Sequence, residues 1–204
     1  MWYGRYVRVG FRNETIDLII SWLVLSVVFS IDSLMTRQEL TALLYSAVAV
    51  GTAFVVHEVA HREVARRYGL IARYRAWYLG LAIALAIALI TSRLGRPLVF
   101  AAPGAVIVYG YYGFRDLKAE LRIAEAGPLS NIVLAIIAWV ILKASILTGI
   151  PYLTLYYVAT VNSWIALFNL LPIPPLDGFK IFRASPIEWI AMLLLSVGIY
   201  ITLT

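Results

Sequence analysis

From Ala144 to Leu176 the chain runs for 33 residues without a charged side chain, and from Leu40 to Val56 for 17 more. A helix needs about 17 to 25 apolar residues to cross the hydrocarbon of a bilayer, and these runs are of that kind. Composition agrees: 62% of the 204 residues are hydrophobic and 14% charged, where soluble domains lie nearer half and a quarter. The expected fold class is mainly α, a polytopic membrane helix bundle of about five to seven apolar segments. The candidate segments are 16–31, 40–65, 76–92, 126–148, 151–171 and 187–203. No low-complexity linker interrupts them, so residues 1–204 read as one membrane-embedded domain.

The net charge of +6 raises the question of nucleic acid. The basic residues instead form short clusters between apolar runs, which is how membrane proteins set their orientation. Arg5, Arg8 and Arg12, then Arg62, Arg66, Arg67, Arg73 and Arg75, then Arg115, Lys118 and Arg122, and finally Lys180 and Arg183 all fall on one side. That side is expected to be the cytoplasm, with the N-terminus inside and the C-terminus outside. A nucleic-acid partner is excluded on this distribution.

Residues 97–114 are apolar but rich in Gly, Val and Tyr, with a Pro103-Gly104 turn signal between 98–100 and 106–109. A small β-hairpin is expected there, covered by protein or water, because an open sheet edge cannot face lipid. The basic clusters on either side of 76–114 lie on the same face of the membrane. An even number of crossings must therefore separate them: either 76–92 crosses and 97–114 returns, or neither spans.

The chain has no cysteine and two histidines, so His and carboxylate are the strong metal ligands available. Both histidines stand in His57-Glu58-Val59-Ala60-His61, at the end of the second apolar run. Side chains four apart on a helix share a face, which puts two imidazoles on one ion with the intervening Glu58 beside it as general base. Ionisable groups at that depth are functional candidates by default. A catalytic zinc site needs a third protein ligand. Asp177 stands out, ending the 33-residue run just after Pro172, Pro174 and Pro175, which break a helix and let the carboxylate turn inward. Gly178 after it permits an unusual turn. Glu125 is the reserve ligand. Glu63 is too near on the same helix, Asp116 and Glu120 belong to a charged loop, and Glu188 reads as a helix-start charge.

Three motifs occur in order: His57-Glu58-x-x-His61, Ala126-Gly127-Pro128-Leu129-Ser130-Asn131, and Asn169 through Gly178 (NLLPIPPLDG). Together they resemble the site-2 protease family of intramembrane zinc metalloproteases, over a core of residues 57–178. The resemblance implies one Zn2+ per chain held by His57, His61 and Asp177, with Glu58 as catalytic base. It implies that Asn131 contacts the substrate or the developing oxyanion and that Asn169 handles substrate, with Asn162 a further candidate of that kind. It also implies a β-rich segment after the zinc helix that offers an edge to substrate, for which 97–114 is the counterpart. The implied activity is regulated intramembrane proteolysis of a transmembrane segment of another protein in the lipid bilayer. The chain has no room for the PDZ or CBS domains of many relatives, and Phe179 stands where relatives often have a second Gly. The rival reading is a metal-ion transporter or sensor that uses the same ligands without hydrolysis.

Overall fold

The computed structural model describes residues 13–36, 40–95, 98–99, 104–109 and 116–203. Among the described residues the chain forms seven helices and two strands. The helices are α1 (Glu14–Thr36), α2 (Thr41–Arg67), α3 (Tyr78–Ser92), α4 (Leu117–Ala144), α5 (Gly149–Asn169), α6 (Asp177–Ala184) and α7 (Pro186–Leu203). The strands are β1 (Ile71–Ala76) and β2 (Gly104–Tyr109). The polytopic helical fold and its small β element are as expected. Helices α1, α2, α4 and α7 are each long and apolar enough to cross a membrane, so the protein is a multi-pass membrane protein. The basic residues Arg5, Arg8, Arg12 and Arg115 and the Pro103 turn lie outside the described residues.

Polar and apolar side chains are distributed as a bilayer demands. Asp17, Ser21, Ser26, Ser30, Ser46, Asn131 and Asn162 are buried, while Ile137, Val140, Leu194, Leu195 and Ile201 face outward. Lipid tails give no hydrophobic drive for helices to associate, so close backbone approach through small residues must do it. Ala49, Ala53, Ala135, Ala159 and Ala166 are each 0% exposed. They lie on α2, α4 and α5, the helices packed at the centre of the bundle.

Two helix starts differ from the expected bounds, for local reasons. Helix α4 begins at Leu117 rather than near 126, because Asp116 caps it by accepting from the backbone N–H groups of Lys118 (2.9 Å) and Ala119 (3.2 Å). Helix α1 begins at Glu14, with Asn13 Oδ1 accepting from Thr15 N. Asp17 lies in the first turn of α1. It is 1% exposed and accepts from Tyr78 Oη (2.7 Å) and Ala76 N (3.3 Å).

The β element differs from the expectation in its pairing. Strand β2 is antiparallel to β1, with Tyr74 opposite Val106 and Ala76 opposite Gly104, rather than to residues 98–100. Because β2 runs back along β1, the excursion through α3 returns to the side it left, which satisfies the even count of crossings. Helix α3 has 15 residues, about 22 Å of rise against a hydrocarbon core of about 30 Å.

The other edge of β1 is closed by α1. Tyr74 N donates to Glu14 Oε1 (3.1 Å) and Ala76 N donates to Asp17 Oδ2. Antiparallel neighbours alternate between hydrogen-bonded and non-hydrogen-bonded pairs. Since Tyr74 and Ala76 direct their N–H groups to α1, their partners Val106 and Gly104 turn their own backbone groups away from β1. Glu14 Oε1 also accepts from Arg62 Nη1 (3.2 Å), one residue past His61, so α1 ties the ribbon to the end of α2.

Candidate metal centre

His57 and His61 lie one turn apart on α2, just after a π-helical turn at Gly51–Val55. Asp177 is the first residue of α6, delivered by the chain break that Pro172, Pro174 and Pro175 impose after α5. Gly178 then packs against the end of α5, where an added Cβ would overlap the backbone of Leu170. Close approach, rather than the unusual turn expected, is what requires a glycine there.

The three side chains converge. His61 Nε2 lies 3.0 Å from His57 Nε2 and 3.0 Å from Asp177 Oδ2, and His57 Nε2 lies 3.4 Å from Asp177 Oδ2. Ligands at the 2.0–2.1 Å typical of zinc occupy tetrahedron corners about 3.3 Å apart, so this triangle is of the right size for one ion. Ring protonation agrees. His61 Nδ1 is 2.6 Å from the Ile123 carbonyl, which can only accept, so Nδ1 carries the proton and Nε2 a lone pair. Two lone pairs facing each other at 3.0 Å repel unless a cation lies between them. Gly127 completes the cradle from α4: a Cβ there would overlap the Nε2 atoms of both histidines. The residues present fit a zinc ion.

These groups open onto a cavity of about 340 Å³. Glu58 lies on it, 8% exposed, and its Oε2 is buried with no hydrogen-bond partner among the described residues. Val106 and Val108 of β2 form part of the opposite wall, and Asn169, Glu120 and Lys180 also line it.

A candidate zinc metalloprotease of Methanocaldococcus jannaschii is 36% identical over 182 residues, covering 87% of each chain. The chain belongs to the site-2 protease family of zinc metalloproteases. A second zinc metalloprotease of that archaeon is 25% identical over 83% of this chain, which spans only 42% of the relative. Stage IV sporulation protein FB of Bacillus subtilis is 38% identical over 85 residues, 41% of this chain and 28% of the relative. No family model and no solved structure matches. Zinc is accordingly the cofactor of this site-2 protease family member, and the His57, His61 and Asp177 group is positioned to take it.

The remaining sequence candidates divide by position. Asn169 lines the cavity, its Nδ2 donating to Ile165 O (2.9 Å). Asn131 is not among the residues that line the cavity. It is 0% exposed, its Oδ1 meets His57 Nδ1, and its Nδ2 donates to Ala53 O (2.7 Å) and Asn162 Oδ1 (3.0 Å). Asn162 is equally buried and also lies behind the histidines. The reserve ligand Glu125 is bound to Arg122 (2.6 Å) and stands outside the metal group. Glu63 is paired with Arg62 and Arg66.

Sequence reasoning missed the Gly127 cradle, the Ile123 carbonyl and β1. A signal for β1 existed, since Ala72, Tyr74 and Ala76 alternate with Ile71, Arg73 and Arg75 and are the buried set. The two arginines made the segment read as a charged loop.

Proposed function

We propose that this protein is an intramembrane endopeptidase, which cuts peptide bonds within the transmembrane segments of other membrane proteins. The observation that carries the reading is the cavity itself. It holds two imidazole nitrogens and a carboxylate at zinc spacing, an unpartnered carboxylate oxygen on Glu58, and one face of a β-strand.

Zinc, when bound, lowers the pKa of water toward neutrality and polarises a carbonyl. His57, His61 and Asp177 serve as its ligands. Glu58 accepts a proton from the attacking water and returns it to the leaving nitrogen, a role that needs a carboxylate oxygen free of other partners. A helical substrate hides its carbonyls in hydrogen bonds and must unwind to be attacked. The outward backbone groups of Gly104, Val106 and Val108 pair with the extended segment in this reading, and Asn169 lines the same cavity. The active site opens toward the cytoplasmic, basic side: Arg62 pairs with Glu14 and Arg122 with Glu188, so the end of α2 and the starts of α1, α4 and α7 share one end of the bundle.

The test is purified protein with a transmembrane reporter. Proteolysis predicts a cut product that a zinc chelator abolishes and that Glu58→Gln loses. Metal flux into vesicles without any product would instead establish the transporter reading.

A further inference from the structure

Behind His57 lies a hydrogen-bond chain whose direction is set by three backbone carbonyls. Thr52 Oγ1 donates to Ala49 O (2.8 Å). Asn162 Nδ2 donates to Val158 O (2.8 Å) and to Thr52 Oγ1 (3.0 Å), which leaves its Oδ1 to accept from Asn131. Asn131 Nδ2 gives its second proton to Ala53 O, so its Oδ1 is the atom that meets His57 Nδ1 at 2.5 Å. An amide oxygen only accepts. His57 Nδ1 must therefore carry the proton, and Nε2 presents its lone pair to the metal group. Thr52 and Ala53 both belong to the π-helical turn of α2, a feature that recurs at functional sites.

We infer that Asn131, Asn162 and Thr52 are positioning residues, which lock the ring orientation and tautomer of His57 for metal binding. None of the three lines the cavity. An oxyanion contact would need an amide proton of Asn131 directed there, and both are spent within the bundle. Histidines that bind metals are commonly held this way through their second nitrogen, and loss of such a partner costs about 10- to 100-fold in metal affinity or activity. The inference rests on His57 being a metal ligand and is independent of which substrate is cut.

The chain has two histidines, so selective 15N-histidine labelling of the purified full chain gives two ring systems. With zinc removed, the wild type is expected to show both rings protonated at Nδ1. In Asn131→Leu the His57 ring should become a tautomer mixture. The His61 ring, held by Ile123, should stay unchanged and report that the fold is intact. Zinc affinity, read by chelator competition, should fall about 10- to 100-fold. Thr52→Val and Asn162→Ala should move both readouts the same way by smaller amounts, and they carry the test if Asn131→Leu does not fold. Asn131→Asp, which keeps an oxygen toward Nδ1, should retain more zinc than Asn131→Leu. An unchanged His57 ring and unchanged zinc affinity in Asn131→Leu, with reporter cleavage lost, would overturn the inference in favour of substrate contact. So would equal disturbance of both rings in all three variants. If the wild type binds no zinc, the metal-site reading fails before any variant is compared.

Discussion

Gly127 of α4 and His57 of α2 approach so closely that a methyl group on the glycine would overlap the imidazole Nε2. The same methyl would overlap His61 Nε2, so one hydrogen atom in place of a side chain leaves room for both rings to face a single ion. Gly127→Ala should accordingly push the rings apart. Its zinc affinity should fall by a factor on the order of 10 to 100, comparable to loss of a ligand-orienting partner, while the helical circular-dichroism signal is retained. Metal analysis after chelator competition checks this.

Asp177 and Glu125 are both candidate third ligands by sequence, but among the described residues only Asp177 joins the metal group. Asp177→Ala should leave the purified protein with less than about a tenth of the wild-type zinc, since three protein ligands hold a catalytic site. Glu125→Gln should keep zinc near one ion per chain. Its carboxylate is engaged by Arg122 instead. The reverse pattern of metal contents would reassign the third ligand.

Glu58 should separate metal binding from chemistry. Removing a positioned general base typically costs about 10²- to 10⁴-fold in rate. Glu58→Gln should therefore bind zinc as the wild type does and cut a transmembrane reporter at least about a hundredfold more slowly. Wild-type rates for this variant would remove Glu58 from the mechanism.

Asp17 offers a control away from the metal. It receives hydrogen bonds from Ala76 N and Tyr78 Oη inside the bundle. Truncation removes the acceptor of the buried Ala76 N–H, a cost of about 1 to 3 kcal/mol. Asp17→Ala should lower the thermal midpoint in detergent and slow reporter cleavage by loosening β1, yet leave zinc affinity unchanged. A loss of zinc in this variant would mean that α1 supports the metal site and not only the ribbon.

Much of this arrangement was legible in the residues. The long uncharged runs gave the helices, and the spacing of His57 and His61 with the proline break before Asp177 pointed to the metal group. What stayed hidden depended on partners remote in sequence. Nothing local in Ile71–Ala76 says that it pairs with Gly104–Tyr109 or that Glu14 and Asp17 reach from α1 to close its other edge. Asn131 read as a substrate contact through the family resemblance of its motif alone. Only its bonds to Ala53 and Asn162 show that its protons are spent. Gly178 looked like a conformational glycine and Gly127 drew no reading of its own, whereas each is needed for the closeness of another element.

Zinc K-edge X-ray absorption on the purified, zinc-loaded protein tests the metal centre most directly. The spectrum should show one zinc with two imidazole and at least one oxygen ligand at about 2.0–2.2 Å, and a changed ligand set in Asp177→Ala. A spectrum without imidazole scattering, or one unaltered by Asp177→Ala, would contradict this metal centre.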